Sequence, residues 1–322
     1  MPWEGTPKLP VGVEQLENQV AGHTAAQGCV GLLKTSNNDG TILKPTGKVL
    51  CGIREIAFYE RLEDVQKNAD IQTDADAVDA TRASFELLNR IVPRYYGHPK
   101  LTIEGKVMEF IQLEDLTDGF EQPCIMDVKI GRRTWDPLAT PEKRKAEESK
   151  YKACRQRFGL CIPGFQVFSH RCGGQLIRHG KDYGKKLTEV NIRDAFLLFL
   201  NASEDGKLQR NLIETFLQEL ILIESWARKQ TSFRLYSSSV LLLYDASRLE
   251  SNILEHRNIK GLNRNHKERA LDMRSNWVKA RIIDFAHAFP AEEGTDSVDD
   301  NYLQGIASLV GFFRQFLASD IN

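Results

Sequence analysis

The sequence predicts an α+β fold in two lobes, and three observations carry the prediction. The first 116 residues alternate short β-type runs with two stretches of helical period. The remainder is larger and joins near-continuous apolar runs, the mark of buried strands, to long amphipathic helices. Polar residues interrupt the apolar strands at four places: Lys44, Asp127 with Lys129, Ser237 to Ser239, and Asp284.

In chain order, residues 1–17 contain Pro and Gly and read as a loosely held terminus before a first lobe over 18–116 and a second over 117–322. GCVGLLKT (28–35) and GTILKP (40–45) flank the turn-rich SNND, which predicts a hairpin ending near Lys44. Apolar residues at 53, 56, 58, 62 and 65 predict a helix over 53–65. A second helix is expected near 78–91, stopping before Pro93. KVMEFIQL (106–113) reads as a strand running into Glu114, Asp115 and Leu116, and CIMDVKIG (124–131) as the next. Thr140 caps, and Pro141 starts, a single expected helix over 140–158. IPGFQVFSH (162–170) is a strand before the Gly173-Gly174 turn. Helices follow near 189–201 and 207–229, the second with an apolar stripe of Leu212, Phe216, Leu220 and Ile223. FRLYSSSVLLLYD (233–245) and KARIIDFAH (279–287) read as buried strands around a polar surface loop at 246–276, and a last helix spans about 301–318.

With 322 residues, 41% hydrophobic and 27% charged, the chain can bury a sizeable core. A net charge of -1 argues against a generally basic nucleic-acid binder. Local charge is uneven, with seven acidic and two basic residues from Glu63 to Glu86, against ten Lys/Arg and five Asp/Glu from Asp127 to Arg157. Six cysteines without a CxxC pair suit reduced thiols and speak against zinc. The absence of an 18-residue apolar run and of a signal-peptide pattern predicts an intracellular protein without stable membrane insertion.

Asp127 and Lys129 stand two apart in PCIMDVKIG (123–131), so a strand points both to one face. Buried charges need partners. Taken singly, a lysine placed like Lys44 is usually a solvated charge and a triple serine more often a turn or strand-edge pattern, while Asp284 reads equally as a turn cap and Asp127 with Lys129 can be a surface pair. ATP-dependent phosphoryl transfer explains all four together: a lysine on the phosphates, a carboxylate on magnesium, and positive charge for the acceptor. Lys44, with Glu55 on the following helix, repeats the strand-lysine and helix-glutamate pair of protein kinases, and Asp284 in IIDFAH stands where they carry Asp-Phe-Gly. The lobes are then expected to be kinase-like, of the ATP-grasp or protein-kinase kind. No GxGxxG precedes Lys44, no His-Arg-Asp loop is present, and Ala286 replaces the glycine, which excludes an ordinary protein kinase. Lys143, Lys150 and Arg157 recur every seven residues and would line one face of a continuous helix, fit for a small polyanion. A solvated helix with pairs such as Lys143 with Glu147 and Glu148 with Lys152 is the alternative.

PCIMDVKIG fits the Pro-x-x-x-Asp-x-Lys-x-Gly signature of the inositol polyphosphate kinases, which this chain resembles from about residue 18 to 318. QVAGH (19–23), SSSVLLLYD and IDFAH resemble the family's other landmarks, in order, and the multikinase branch is the most similar. The resemblance implies ATP and Mg2+ as cofactors and inositol tris- and tetrakisphosphates as acceptors, phosphorylated at the 6- and 3-hydroxyls to the pentakisphosphate. It implies that Lys44, supported by Glu55, meets the ATP phosphates and that the backbone around Glu114 and Leu116 holds adenine. Asp127 would take the ribose hydroxyls, Lys129 the acceptor and the transferring phosphate, and Asp284 with Ser239 the metal. His287 and the basic helix, a small helical segment with Lys143 and Lys150 as its chief contacts, would meet the inositol phosphates. A hexakisphosphate kinase and a non-catalytic scaffold are the alternatives, and activity on phosphoinositide lipids is a side possibility. The protein is expected to be a monomer of cytoplasm and nucleus, with inositol polyphosphates rather than nucleic acid as its partners. Two departures bear on the acceptor: Val240 alters the family's Ser-Ser-Leu-Leu, and Ala146 and Glu147 stand where animal multikinases tend to have glutamines. Glu147 would repel a substrate phosphate if it faced the pocket.

Overall fold

The computed structural model describes residues 7–16, 19–20, 30–37, 39–67, 76–204, 206–249, 277–292, 294 and 296–319. Residues 21–23 of QVAGH, the start of the expected hairpin and most of the 246–276 loop lie outside the described residues.

Strands β1 (Val13–Gln15), β2 (Leu33–Thr35), β3 (Thr41–Pro45), β4 (Lys100–Ile103) and β5 (Lys106–Glu114) form an antiparallel sheet of order β1-β2-β3-β5-β4. The β4–β5 hairpin, unforeseen from the sequence, turns on Glu104 and Gly105 at φ 46° and 76°, the paired positive φ that tight hairpins use. Helices α1 (Val49–Lys67) and α2 (Asp76–Ile91) lie between this sheet and the rest of the molecule. Ile56, Tyr59 and Leu62 of α1 and Phe85 and Leu88 of α2 share one buried cluster with Ile111 and Leu113 of β5 and with the second lobe. The Phe58 ring stacks on Phe285 at 3.8 Å, so α1 is wedged against the turn that carries Asp284.

The second sheet has the order β11-β10-β6-β7-β8 and is antiparallel throughout. Its strands are β6 (Pro123–Ile130), β7 (Leu160–Ser169), β8 (Gln175–His179), β10 (Ser239–Asp245) and β11 (Val278–Ile283). A small pair, β9 (Phe233–Leu235) with β12 (Ala288–Pro290), stands beside it. Helices α3 (Pro141–Ser149) and α4 (Lys152–Phe158) follow β6, α5 (Lys181–Gly184), α6 (Ile192–Phe199) and α7 (Arg210–Ala227) follow β8, and α8 (Asp300–Ser319) closes the chain. The expected stripe of α7, Leu212, Phe216, Leu220 and Ile223, is fully buried against α8 and the sheet. Each such side chain contributes about 1.5–3 kcal/mol by leaving water.

Three expected elements are corrected. The helix over 140–158 is two helices: Lys150 is extended and Tyr151 sits at φ 51°. The buried Arg155 guanidinium causes the break, donating to the carbonyls of Glu147, Lys150 and Arg132 and so closing the end of α3. Lys143, Lys150 and Arg157 therefore do not share one helical face. The apolar run 233–245 is two strands in different sheets, separated at Ser237, φ 57°, whose hydroxyl donates to Thr134 O. The run 279–287 ends as a strand at Ile283, because Asp284 turns the chain at φ 65°.

Candidate active site

The period of two in β6 sorts its residues between core and site. Cys124, Met126, Val128 and Ile130 are buried in the main core. Ile125, Asp127 and Lys129 take the other face, where the register with β10 sets Leu243, Leu241 and Ser239 opposite them. Ile125 and Leu243 form a small apolar cluster with Leu116 of the lobe connector, joined by Val20, Phe120 and Leu241. One sheet face thus runs from apolar, beside the connector, to charged, beside Asp284. That gradient suits a ligand with a flat apolar end and an anionic end.

At the charged end the lobes meet through one ammonium. Lys44 Nζ donates to Glu55 Oε1 at 2.7 Å and to Asp284 Oδ1 at 2.5 Å. The same Glu55 oxygen accepts the Phe285 amide at 3.0 Å, so α1 holds both the lysine and the turn. Burial alone would lower the pKa of Lys44, but Asp284 and Glu55 outweigh it and keep the ammonium charged well above its ordinary value. Burial would likewise raise Asp284; Lys44 and Lys129 prevail and hold its carboxylate ionised. Asp127 differs. Burial pushes its carboxyl up to about 6 against the pull of Lys129, and its Oδ1 has no hydrogen bond among the described residues.

Ser238 and Ser239 are buried, the Ser238 hydroxyl without a partner among the described residues and that of Ser239 turned toward Asp127, and pairing of Ser239 with Lys129 and Ile283 puts it on the site face beside Asp284. Among the described residues no three His, Cys, Asp or Glu side chains gather as a self-sufficient metal cage. Asp284 and Ser239 instead offer two hard oxygens, the sort of set a Mg2+-type ion completes with phosphates and water.

On the acceptor side, Lys129 Nζ donates to Ser237 O at 2.9 Å. Glu147 does approach this region: its Oε1 accepts from Lys150 at 2.7 Å. Burial would raise its pKa, yet the Lys150 hydrogen bond and the charges of Lys150, Lys129 and Arg155 bring it below its usual value. Lys150 is therefore engaged by a carboxylate, and Lys143 alone of the two predicted helix lysines is without one among the described residues. His287 Nδ1 lies 2.5 Å from Asp136 Oδ2. Burial lowers the ring's pKa against the opposing pull of Asp136, so it is neutral near pH 7. With Nδ1–H donating to Asp136, Nε2 is an acceptor, better matched to a hydroxyl than to a phosphate.

The hinge is used more fully by the protein than expected. The Glu114 amide donates to Arg94 O, and the Leu116 carbonyl accepts from Lys279 Nζ at 2.9 Å. The structure brings together Lys44, Glu55, Asp127, Lys129, Ser239, Asp284 and His287, while Lys150 is ion-paired with Glu147. Sequence reasoning missed Asp136, Arg54 and Lys279. Asp136 lies in the WDP segment after the signature, Arg54 adjoins Glu55, and its guanidinium donates to Ala286 O at 2.7 Å and lies over Phe289.

The family model for inositol polyphosphate kinases matches residues 110–314. This chain belongs to the inositol polyphosphate kinase family. An inositol polyphosphate multikinase of Mus musculus is 32% identical over 242 residues, which cover 75% of this chain and 56% of that protein. The chain thus spans about half the length of that relative. An Arabidopsis thaliana multikinase beta is 26% identical over 318 residues, covering 94% of this chain and 93% of its own. A crystal structure of an inositol phosphate multikinase from S. cerevisiae, in complex with ADP and Mn2+, superposes with a TM-score of 0.61 at 23% identity, over 86% of this chain and 99% of that one. The two-lobe kinase-like fold is shared.

Proposed function

We propose that this member of the inositol polyphosphate kinase family is an ATP-dependent multikinase. It moves the γ-phosphate of ATP to hydroxyls of inositol tris- and tetrakisphosphates, at the 6- and 3-positions, and ends at the pentakisphosphate. The observation that carries this reading is the Lys44 ammonium, which joins Glu55 and Asp284 across the lobes beside the Asp127–Lys129 face. Likeness to multikinases over most of the chain supports the branch.

Adenine lies on Ile125, Leu243 and Leu116, the ribose reaches the free Oδ1 of Asp127, and Lys44 takes the phosphates. Asp284 and Ser239 would hold a divalent ion such as Mg2+, which would neutralise charge on the phosphates. Lys129 follows the transferring phosphoryl group toward the acceptor, with Lys143 on the acceptor's phosphates. His287, oriented by Asp136, accepts a hydrogen bond from the acceptor's hydroxyl. Positioning and fixed charge supply most of the rate.

Incubation with Mg-ATP and inositol 1,4,5-trisphosphate, with products followed by anion-exchange chromatography, tests the reading. Tetrakis- and then pentakisphosphate are expected. A single tetrakisphosphate defines a narrow trisphosphate kinase, and pyrophosphate products from inositol hexakisphosphate alone would overturn the multikinase assignment. Asp284→Asn should reduce turnover by at least about a thousandfold while the chain stays folded by circular dichroism; an active variant removes Asp284 from the metal site.

A further inference from the structure

The back of α3 carries a second basic feature that the reaction does not use. A surface cavity of about 450 Å3 is lined by Arg132, Lys145, Lys152 and Arg155, with Glu148 as its one carboxylate. At about 100° per residue, Lys145 lies about 200° around α3 from Lys143, so the cavity is on the face turned away from the acceptor residues Lys143 and Glu147. The break at Tyr151 brings Lys152 of α4 to this side.

Charge in the cavity is not balanced by the protein. Arg132, Lys145 and Lys152 pair with no carboxylate among the described residues. Glu148 is already engaged, its Oε1 accepting the Trp135 indole N–H at 3.1 Å. Arg155 is 4% exposed, and while its terminal nitrogens donate to the end of α3 and to Arg132 O, its buried Nε has no acceptor among the described residues. Converging cations, one of them buried with an orphan donor, favour a ligand that brings several anionic oxygens.

We propose that this cavity is a second anion-binding site, for a ligand carrying two or more phosphate groups and distinct from the acceptor pocket. Its ligand draws Arg132 after β6, Lys145 of α3 and Lys152 of α4 onto one centre, and so fixes the angle of the α3–α4 break. The phosphates belong either to a free metabolite or to a lipid headgroup.

Calorimetric titration with inorganic pyrophosphate, at saturating ADP to fill the nucleotide site, tests the proposal in the full chain. In a Lys143→Gln, Lys150→Gln background, which weakens the acceptor pocket, one binding event should persist. Adding Lys145→Gln and Lys152→Gln should weaken it by at least about tenfold, or 1.4 kcal/mol. Sedimentation with phosphatidylcholine vesicles containing phosphatidylinositol bisphosphate separates the sources. Pelleting that requires Lys145 and Lys152 assigns a headgroup, and pyrophosphate binding without such pelleting assigns a free anion. If neither binding nor pelleting depends on these two lysines, the proposal is overturned. No step of the test reads turnover, so its failure is distinct from failure of the kinase reading.

Discussion

Asp127 is a carboxylate kept where it is least comfortable. Its ordinary pKa of 3.8 rises to about 6 in the folded protein because burial outweighs the attraction of Lys129. The folded state thus holds the proton more tightly than the unfolded one. Stability from this group is fully present below about pH 4 and lost as pH rises through about 6, a cost on the order of 3 kcal/mol at neutral pH. Asp127→Asn should therefore raise the melting midpoint at pH 7.5 by a few degrees, roughly 4, with the gain fading toward pH 4. The same variant should lose about a hundredfold in kcat/KM; equal melting at both pH values would refute the buried-charge account. At His287 burial lowers the ring's pKa and Asp136 pulls it back, so the acid limb of kcat/KM should lie below pH 6.5. Asp136→Asn should move that limb to lower pH while reducing kcat about tenfold. An unmoved limb would show that the pair does not set it. Glu147 occupies Lys150, and Glu147→Gln should free the lysine and lower KM for the trisphosphate several-fold without changing KM for ATP.

Elements owe their ends to contacts made far away in sequence. Lys44, the Asp127–Lys129 pair and Asp284 were legible because a charge inside an apolar strand is conspicuous, and the stripe of α7 because it repeats at helical spacing. The break in the 140–158 segment was not, since Tyr151 is an unusual residue for positive φ and the cause is Arg155 capping α3 from the next helix. Nor did the triple serine announce that the run 233–245 changes sheets. Lys129 and Ile130 hold the carbonyls of Ser237 and Ser238 from the neighbouring strand, a contact invisible to local pattern. The close approach of α8 to the end of β6 is equally non-local. A Cβ on Gly305 would stand 2.3 Å from Gly159 O and 2.8 Å from Ile130 Cγ2. Gly305→Ala should cost about 2–4 kcal/mol by denaturant melting, although alanine is the better helix former. A neutral or stabilised variant would show that α8 can move away.

For the whole molecule, α1 decides how the lobes communicate. Its Phe58 stacks on Phe285, its Glu55 receives both Lys44 and the Phe285 amide, and its Arg54 holds Ala286 O. The lobes are thus coupled at the turn where the metal is proposed to bind. Mg-ADP should raise the melting midpoint of the native chain, since a ligand bound only by the folded state stabilises it, by about 2.7 kcal/mol at a hundred times Kd. In Lys44→Met that increment should largely vanish; an undiminished shift would mean that nucleotide binding does not depend on the bridge.

Composition, periodicity and the spacing of a few charges determined the α+β class and most helices and strands, and marked Lys44, Glu55, Asp127, Lys129 and Asp284; the resemblance carried by PCIMDVKIG, SSSVLLLYD and IDFAH added the family, Ser239 and His287. They sufficed because burial imposes period two on a half-buried strand and 3.6 on a helix, and because a misplaced charge stands out from either pattern. Tertiary structure alone decided where α3 stops, that Lys150 answers to Glu147, that Asp136 orients His287, and that α1 belongs to both lobes. Arg155 reaches Arg132 O across 23 residues, His287 meets Asp136 across 151 and the Phe285 amide meets Glu55 across 230, separations that no local window contains; Glu147 and Lys150 stand only three apart, and which local carboxylate the lysine takes is settled by the fold.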